Sequence, residues 1–180
     1  MSEQEVVSDP EATKCRRKSA SVSLHLGGLL TALLLIAACA GPPKDETPAW
    51  AAVADVLDDW HAAAAKADEA RYLDHFAPEA VFLGTDATER WTLEEFTDYV
   101  RLYFPEGGWT YHPRCRYVRF AQGGTHAWVD ELLDNEKYGT LRGTAVLQLI
   151  DGRWRIAHYS MTFAVPNECA EAVVEVIGGE

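Results

Sequence analysis

Four polar side chains on predicted neighbouring strands could do acid–base chemistry: His158, Glu131, Arg116 and Ser160. A carboxylate beside an imidazole fixes the tautomer of the imidazole and raises the basicity of its ring. A base of this kind in an apolar cavity is suited to removing a proton next to a carbonyl group. Arg116 or Ser160 would then stabilise developing negative charge on an oxygen. A structural reading is also open, in which Arg116 and Glu131 form a cross-strand ion pair and His158 is a core histidine bonded to Ser160.

A predicted β-hairpin decides where two of these side chains lie. Asp151-Gly152 separates two apolar runs, and both residues tolerate the positive φ of a two-residue hairpin turn. The register of this turn puts His158 and Ser160 on the same face as the small residues Gly143 and Ala145. Small residues beside polar ones predict a pocket on this face.

The same register, extended over a Gly-Gly turn to two earlier strands, predicts rows of inward-facing side chains. The three rows are Phe120, Ala127, Leu147 and Ile156; Val118, Val129, Ala145 and His158; and Arg116, Glu131, Gly143 and Ser160. The opposite face is aromatic, with Tyr117, Trp128 and Tyr159. A homodimer through this outer sheet face is the simple expectation, and cover by the C-terminal helix is the alternative.

Helices are predicted before the long strands. Thr92 and Glu95 form a capping box that starts a helix at Leu93, and apolar spacing from Trp50 to Ala64 indicates an amphipathic first helix. Helices followed by an antiparallel meander are typical of an α+β fold, with the helices packed on one face of a curved sheet.

Two further helix caps are predicted. Asp68 is expected to cap a short helix that turns Phe76 inward and is stopped by Pro78, and Asn167 is expected to cap a last short helix over Glu168–Ile177.

Candidate ligand-binding residues lie near the predicted cavity. Thr85, Asp86 and Glu89 are in the loop before the capped helix, although loop carboxylates there are more often structural. The aromatic candidates are side chains that could belong to the core, to a ligand site or to both, namely Trp60, Trp91, Tyr99 and Trp109.

The N-terminal segment has the features of a targeting signal. Four basic residues precede an apolar run that is too short to span a bilayer, and Ile36-Ala37-Ala38-Cys39 resembles the lipobox of bacterial lipoproteins. This resemblance implies a signal peptide over residues 1–38, a lipidated Cys39 with a tether over 39–47, and a domain over 48–180. An ordinary cleaved signal and an uncleaved anchor are the alternatives. The protein would then be anchored to a membrane of the bacterial cell envelope, with the domain on the extracytoplasmic side.

Composition excludes some classes of function. The chain has 180 residues and a net charge of −12, which argues against nucleic-acid binding because phosphate contacts need clustered Lys and Arg. The histidines and cysteines lack metal-ligand spacing, and no phosphate loop or cofactor motif is present, so we expect no metal and no cofactor. Cys115 and Cys169 are expected to be separate thiols, with a disulfide as the alternative.

Four stretches resemble the SnoaL-like branch of the NTF2-like superfamily: Phe82–Trp91, Ala127–Glu131, Leu141–Leu147 and Gly152–Ser160. The resemblance implies a cone-shaped α+β barrel, frequently dimeric, whose sheet wraps a cavity under the first helix. Such domains include isomerases, cyclases, dehydratases and binding modules, so the fold does not choose the function.

Three hypotheses follow for the function. The first is an envelope lipoprotein whose domain binds a small, largely apolar molecule. The second is a cofactor-independent isomerase or dehydratase with His158 as base and Glu131 orienting it. The third is an envelope assembly protein that binds a partner through the outer sheet face.

Overall fold

The computed structural model describes residues 48–179. The predicted signal peptide, Cys39 and the tether lie outside the described residues. Elements up to Ala164 form one compact unit, and those from Val165 onward belong to another. The helices of the first unit are α1 (Pro48–Ala65), α2 (Glu69–Leu73) and α3 (Leu93–Tyr103), and its strands are β1 (Phe76–Leu83), β2 (Arg90–Thr92), β3 (His112–Phe120), β4 (His126–Asn135), β5 (Gly139–Ile150) and β6 (Arg153–Phe163).

The six strands form one mixed sheet in the order β2-β1-β6-β5-β4-β3. The pair β1–β6 is parallel and the other pairs are antiparallel. The predicted α+β class, with N-terminal helices and a mainly antiparallel sheet, is confirmed. The sheet is open, with β2 and β3 at its edges.

The Asp-Gly hairpin forms as predicted. Ile150 pairs with Arg153, and the turn residues Asp151 and Gly152 have φ values of 50° and 78°. The first predicted row is also confirmed, because the strand registers align Phe120, Ala127, Leu147 and Ile156.

A bulge in β6 changes the face of every later residue in that strand. Leu147 pairs with Ile156, but the next residue of β5, Val146, pairs with His158, so Ala157 is the extra residue. Tyr159 and Met161 therefore turn inward, where they are 0% and 5% exposed. The prediction that His158 and Ser160 share the inward face is wrong, because the bulge buries the large apolar side chains of Tyr159 and Met161 in their place.

The space beneath α1 is filled by aromatic side chains. Trp60 is 2% exposed and lies 4.6 Å from the Tyr159 ring, centroid to centroid. The rings of Phe82 and Phe96 are stacked 4.1 Å apart, and Phe82 also stacks on Tyr159 at 5.7 Å. The predicted roomy cavity below the first helix is therefore replaced by core.

Local signals place the elements between α1 and β3. Thr92 and Glu95 form the predicted capping box, and the rings of Trp91 and Phe96 meet at 5.8 Å as a hydrophobic staple. Asp68 caps α2 as predicted. However, α2 ends at Leu73, and Phe76 and Pro78 belong to β1, not to the helix.

The C-terminal unit contains a 3-10 turn over Asn167–Cys169 and the helix α4 over Ala170–Gly178. The expected Asn167 cap is wrong, since α4 begins at Ala170 without a side-chain cap. Cys169 lies at the end of the 3-10 turn and is 7% exposed. No helix within residues 48–179 has the length and apolar character needed to cross a bilayer.

Candidate functional site

The candidate site is a cavity of about 130 Å³ between the end of β1, the loop after it and α3. Seven of its eleven lining residues are aromatic. The lining consists of Phe82, Gly84, Thr85, Glu89, Trp91, Phe96, Tyr99, Trp109, Tyr111, Tyr138 and Met161.

The loop between β1 and β2 holds Glu89 at the wall of the cavity. The amide of Gly84 donates to the carbonyl of Glu89 at 2.9 Å, which closes the loop. The amide of Asp86 donates to Glu89 Oε2 at 3.1 Å. A Cβ at Gly84 would lie 2.1 Å from Glu89 Oε2, so the carboxylate packs where only glycine leaves space.

The rings from α3 and the following loop are packed against one another. Tyr99 lies between Trp91 and Trp109, with centroid distances of 4.7 Å and 5.8 Å. The backbone amide of Trp109 donates to Ala64 O at 3.0 Å, and its ring meets Phe104 edge-on at 4.7 Å. The wall is therefore fixed to the end of α1 as well as to α3.

Burial keeps two phenols of the cavity wall, Tyr99 and Tyr111, protonated. It raises the pKa of Tyr111 to about 12, with the neighbouring Tyr138, Tyr99 and Glu89 adding to the effect. Burial likewise raises the pKa of Tyr99. Both hydroxyls therefore remain neutral and can donate hydrogen bonds at physiological pH.

Five of the seven predicted ligand-binding residues line this cavity: Thr85, Glu89, Trp91, Tyr99 and Trp109. Asp86 does not, because its carboxylate accepts hydrogen bonds from the backbone amide and hydroxyl of Thr88 at 2.8 Å and 2.6 Å. Trp60 belongs to the core. Ligand binding by the lining residues stays a prediction.

Six lining residues were not predicted as ligand-binding residues: Phe82, Gly84, Phe96, Tyr111, Tyr138 and Met161. For Met161 a signal was present, since the apolar positions of β6 change parity after Ile156. Tyr111 lies just before β3, and Tyr138 lies between β4 and β5. In such connections neither the helical nor the strand repeat predicts which way a side chain faces.

A second polar cluster lies in the interior around Glu131, whose side chain is 1% exposed. Glu131 Oε1 lies 2.9 Å from His61 Nε2 and accepts from the Tyr159 hydroxyl at 2.9 Å. Arg116 Nε donates to Oε2 at 2.8 Å. Arg116 Nη1 also donates to Asp58 Oδ1 at 2.8 Å and to Ala54 O at 3.1 Å. The cluster therefore joins α1 to three strands.

The surroundings hold Glu131 in its ionised form. Burial alone would raise the pKa of Glu131, but the hydrogen bond and charge of His61 and the charge of Arg116 outweigh it and lower the pKa to about 2. Burial raises the pKa of Tyr159 well above its usual range, and the neighbouring carboxylate acts in the same direction. Tyr159 thus stays a donor and Glu131 an acceptor.

The four predicted catalytic residues are only partly brought together. Glu131 and Arg116 form the cross-strand ion pair of the structural reading. His158 and Ser160 lie on the other face of β6, where they pair with Val146 and Thr144. His61 and Tyr159 take their places beside Glu131. Since none of these residues is among those that line the cavity, the cluster is arranged for structure rather than for contact with a ligand there.

Metal ligation has no candidate within residues 48–179, where no three His, Cys, Asp or Glu side chains form a group able to hold an ion. Of the residues lining the cavity, Glu89 carries the one ionisable carboxylate, and none is Lys, Arg or His.

Comparison with known proteins gives a family and a fold. The family model described as a SnoaL-like domain matches residues 53–166. Among solved structures, a protein described as a dehydratase of the NTF2-like family from Streptomyces avermitilis is similar with a TM-score of 0.56 and 10% identity, over 64% of this chain and 96% of that one.

Two further structures give the same result. An NTF2-like protein of unknown function from Pseudomonas putida has a TM-score of 0.55 and 15% identity, over 64% of this chain and 87% of that one. A protein described as a ketosteroid isomerase from Parabacteroides distasonis has a TM-score of 0.53 and 14% identity, over 63% of this chain and 86% of that one. At these identities the likeness shows the NTF2-like fold alone. No curated protein matches the chain.

Proposed function

This chain belongs to the SnoaL-like domain family, and we propose that its domain binds a small, largely apolar molecule in the aromatic cavity. We further propose that a lipid on Cys39 holds the domain at the cell envelope. The two parts rest on different observations and are tested separately.

The observation that carries the binding proposal is the aromatic lining of the cavity. Trp91, Tyr99 and Trp109 provide rigid apolar walls, while Thr85 and Glu89 provide a few polar atoms. Concave, largely apolar sites with few polar groups are the usual form of small-molecule sites. The volume of about 130 Å³ is below the roughly 300–1,000 Å³ of sites for drug-sized ligands, so the ligand is small or enters with one end only.

The support for a lipid anchor comes from the sequence. Ile36-Ala37-Ala38-Cys39 follows a short apolar run, and the polar residues 40–47 provide a tether between Cys39 and α1. A single acyl chain binds membranes only marginally, so stable attachment would depend on the several chains of a bacterial lipoprotein.

The isomerase or dehydratase alternative has less support, although neighbours of similar fold are described by those activities. Its base, His158, lies on the face of β6 away from Glu131, and Glu131 is already bonded to three side chains. Binding without a reaction by this pair is therefore the simpler proposal.

Native mass spectrometry of the domain starting after Cys39, purified gently from a bacterial host, tests the binding proposal. We expect an extra mass that is retained by Trp128→Ala, a change on the sheet, and lost in Trp91→Ala, a change in the cavity wall. The proposal would be contradicted by a protein that carries no extra mass and whose tryptophan fluorescence does not change when small apolar compounds are added.

The mass of the mature N-terminus in the full-length protein tests the anchor. We expect cleavage before Cys39 and acylation of its sulfur, with both lost in Cys39→Ser. An unacylated terminus would refute this part and leave the binding proposal unaffected.

A further inference from the structure

The geometry of the cavity points to a more specific ligand. We propose that it receives a small organic cation, a quaternary or tertiary ammonium group, held by aromatic faces and by the carboxylate of Glu89. This inference rests on the proposed binding function of the cavity and names the chemical class of its ligand.

The first argument is the number of aromatic faces. A cation is attracted to the negative face of an aromatic ring, with Trp the strongest partner, and several rings around one space form a cage for alkylated ammonium groups. The rings of Trp91, Tyr99, Trp109, Tyr111 and Tyr138 all line the space, and Tyr99 packs against both Trp91 and Trp109. The hydroxyls of Tyr99 and Tyr111 are neutral and do not oppose a cation.

The second argument is the placement of Glu89. Its backbone is fixed by the Gly84 amide and its Oε2 by the Asp86 amide, so the carboxylate is held at the cavity wall and does not sweep through solvent. Gly84 leaves the space that this arrangement needs. A purely apolar ligand would gain nothing from a fixed, half-buried carboxylate, whereas a cation would be stabilised by it.

The third argument is the charge around the cavity. None of its lining residues is basic, so a bound cation meets no positive charge in the wall. Lys137, which does not line the cavity, contacts one of the lining rings, with its ammonium 4.7 Å from the centroid of the Tyr138 ring. The net charge of −12 favours the approach of a positive ligand from solution.

The fourth argument is size. A volume of about 130 Å³ is well below the roughly 300–1,000 Å³ of sites for drug-sized ligands, which suits a compact head group. Thr85 both lines the cavity and is exposed, so a longer substituent on the nitrogen could reach solvent beside it.

Paired ligands of the same shape give the sharpest test. Choline and 3,3-dimethyl-1-butanol differ in having N⁺ or carbon at the branched centre, so their affinities isolate the charge. Both ligands are titrated into the domain by isothermal titration calorimetry at matched ionic strength, with potassium chloride replacing choline chloride in the reference. We expect choline to bind at least about tenfold more tightly than the alcohol, which corresponds to ~1.4 kcal/mol.

Variants then assign the effect to Glu89. Glu89→Gln keeps the shape of the side chain and should weaken choline binding about tenfold, with little change for the neutral alcohol. Glu94→Gln is the matched control, because Glu94 is exposed on α3, does not line the cavity and removes the same charge from the chain. It should leave both affinities unchanged.

Three results would overturn the inference. Equal binding of both ligands would leave an apolar site and remove the cation. Binding of neither, together with a retained neutral molecule in the mass spectrum, would do the same while the proposed function stands. Binding of neither by a protein that retains no molecule would remove the inference and the proposed function together.

Discussion

Gly143 decides the position of the Tyr159 ring by having no side chain. A Cβ at this residue would lie 2.0 Å from the Tyr159 hydroxyl and 3.2 Å from Glu131 Cγ. The hydroxyl reaches Glu131 only because the ring passes over this glycine. The sequence correctly suggested space beside Gly143, but the space holds a tyrosine and not a ligand.

Replacing Gly143 tests this close approach. Gly143→Ala should lower the free energy of unfolding by about 1–3 kcal/mol, the usual cost of overpacking a core, as measured by urea denaturation. In a Tyr159→Phe background the cost should be smaller, because the closest atom is gone. Thr144→Ala, one residue away on the exposed face, is the control and should change stability by less than about 0.5 kcal/mol.

Glu131 links stability to pH through its lowered pKa. Its ordinary value is 4.5 and its value in the folded protein is about 2. The ionised carboxylate therefore contributes stability that is complete above about pH 4.5 and is lost as the pH falls toward 2. At ~1.4 kcal/mol per pH unit, the contribution is about 3 kcal/mol.

The expected pH dependence can be measured by urea unfolding between pH 5 and pH 2. Glu131→Gln should flatten the curve over this range and, at neutral pH, cost about 3 kcal/mol, because the buried Arg116 loses the charge of Glu131 and keeps only the exposed Asp58 as a carboxylate partner. Glu94→Gln should keep the slope of the parent protein. A parent slope that survives Glu131→Gln would mean that other carboxylates carry it.

At the scale of elements, the signals with local causes predicted the structure best. The Asp-Gly turn, the Thr92 capping box and the Asp68 cap depend on neighbours in the chain, and all three form. The bulge at Ala157 depends on which residues of β6 are buried by the rest of the core. The sequence did carry a sign of this bulge, because the large apolar residues of β6 fall on even positions at Trp154 and Ile156 and on odd positions at Tyr159 and Met161.

The candidate site divides in the same way. Thr85, Glu89 and Trp91 were found because a turn and a capped helix position them. His158 and Ser160 were placed on the wrong face because the prediction assumed that side chains alternate between the two faces along all of β6, whereas the bulge at Ala157 interrupts this alternation. His61 was missed as a partner of Glu131 because it comes from α1, and strand register says nothing about a helix that packs across the strands.

Helix α3 joins the capping box to the cavity, which gives a prediction for the element as a whole. Thr92→Ala should lower the free energy of unfolding by about 1 kcal/mol, since it removes the acceptor for the Glu95 amide and one partner of the Glu95 carboxylate. Thermal unfolding measures this. Thr97→Ala on the same helix removes only a bond to Leu93 O and should cost less.

A less stable start of α3 should also weaken ligand binding in the cavity, because two lining residues depend on this helix: Trp91 precedes it and Tyr99 lies within it. Ligand affinity in Thr92→Ala should fall more than in Thr97→Ala. Equal affinities in the two variants would show that the cavity wall is held by the Trp109 side instead.

At the scale of the whole molecule, the outer sheet face carries the prediction of a homodimer. Trp128 and Val146 are paired with Arg119 and His158 across neighbouring strands, and Trp128 is 52% exposed. Exposed aromatic patches on a sheet are typical of protein interfaces. The dimer stays a prediction.

Sedimentation velocity of the domain starting after Cys39 tests it. We expect a dimer for the parent protein and a monomer for Trp128→Arg. Leu102→Arg is the control, because Leu102 is 65% exposed on α3 and away from this face. A monomer at every concentration, or a dimer that is insensitive to Trp128→Arg, would contradict the expectation.

The parallel pair of β1 and β6 sets the order in which the domain can assemble. β1 lies near the start of the domain, yet its partner is the last strand of the sheet. During synthesis α1, β1 and α3 exist before the strand that β1 must join, and such distant pairings form late. Phe82 of β1 and Met161 of β6 both wall the cavity. A nascent chain that ends before β6 therefore has no cavity, and a ligand can reach only the completed domain.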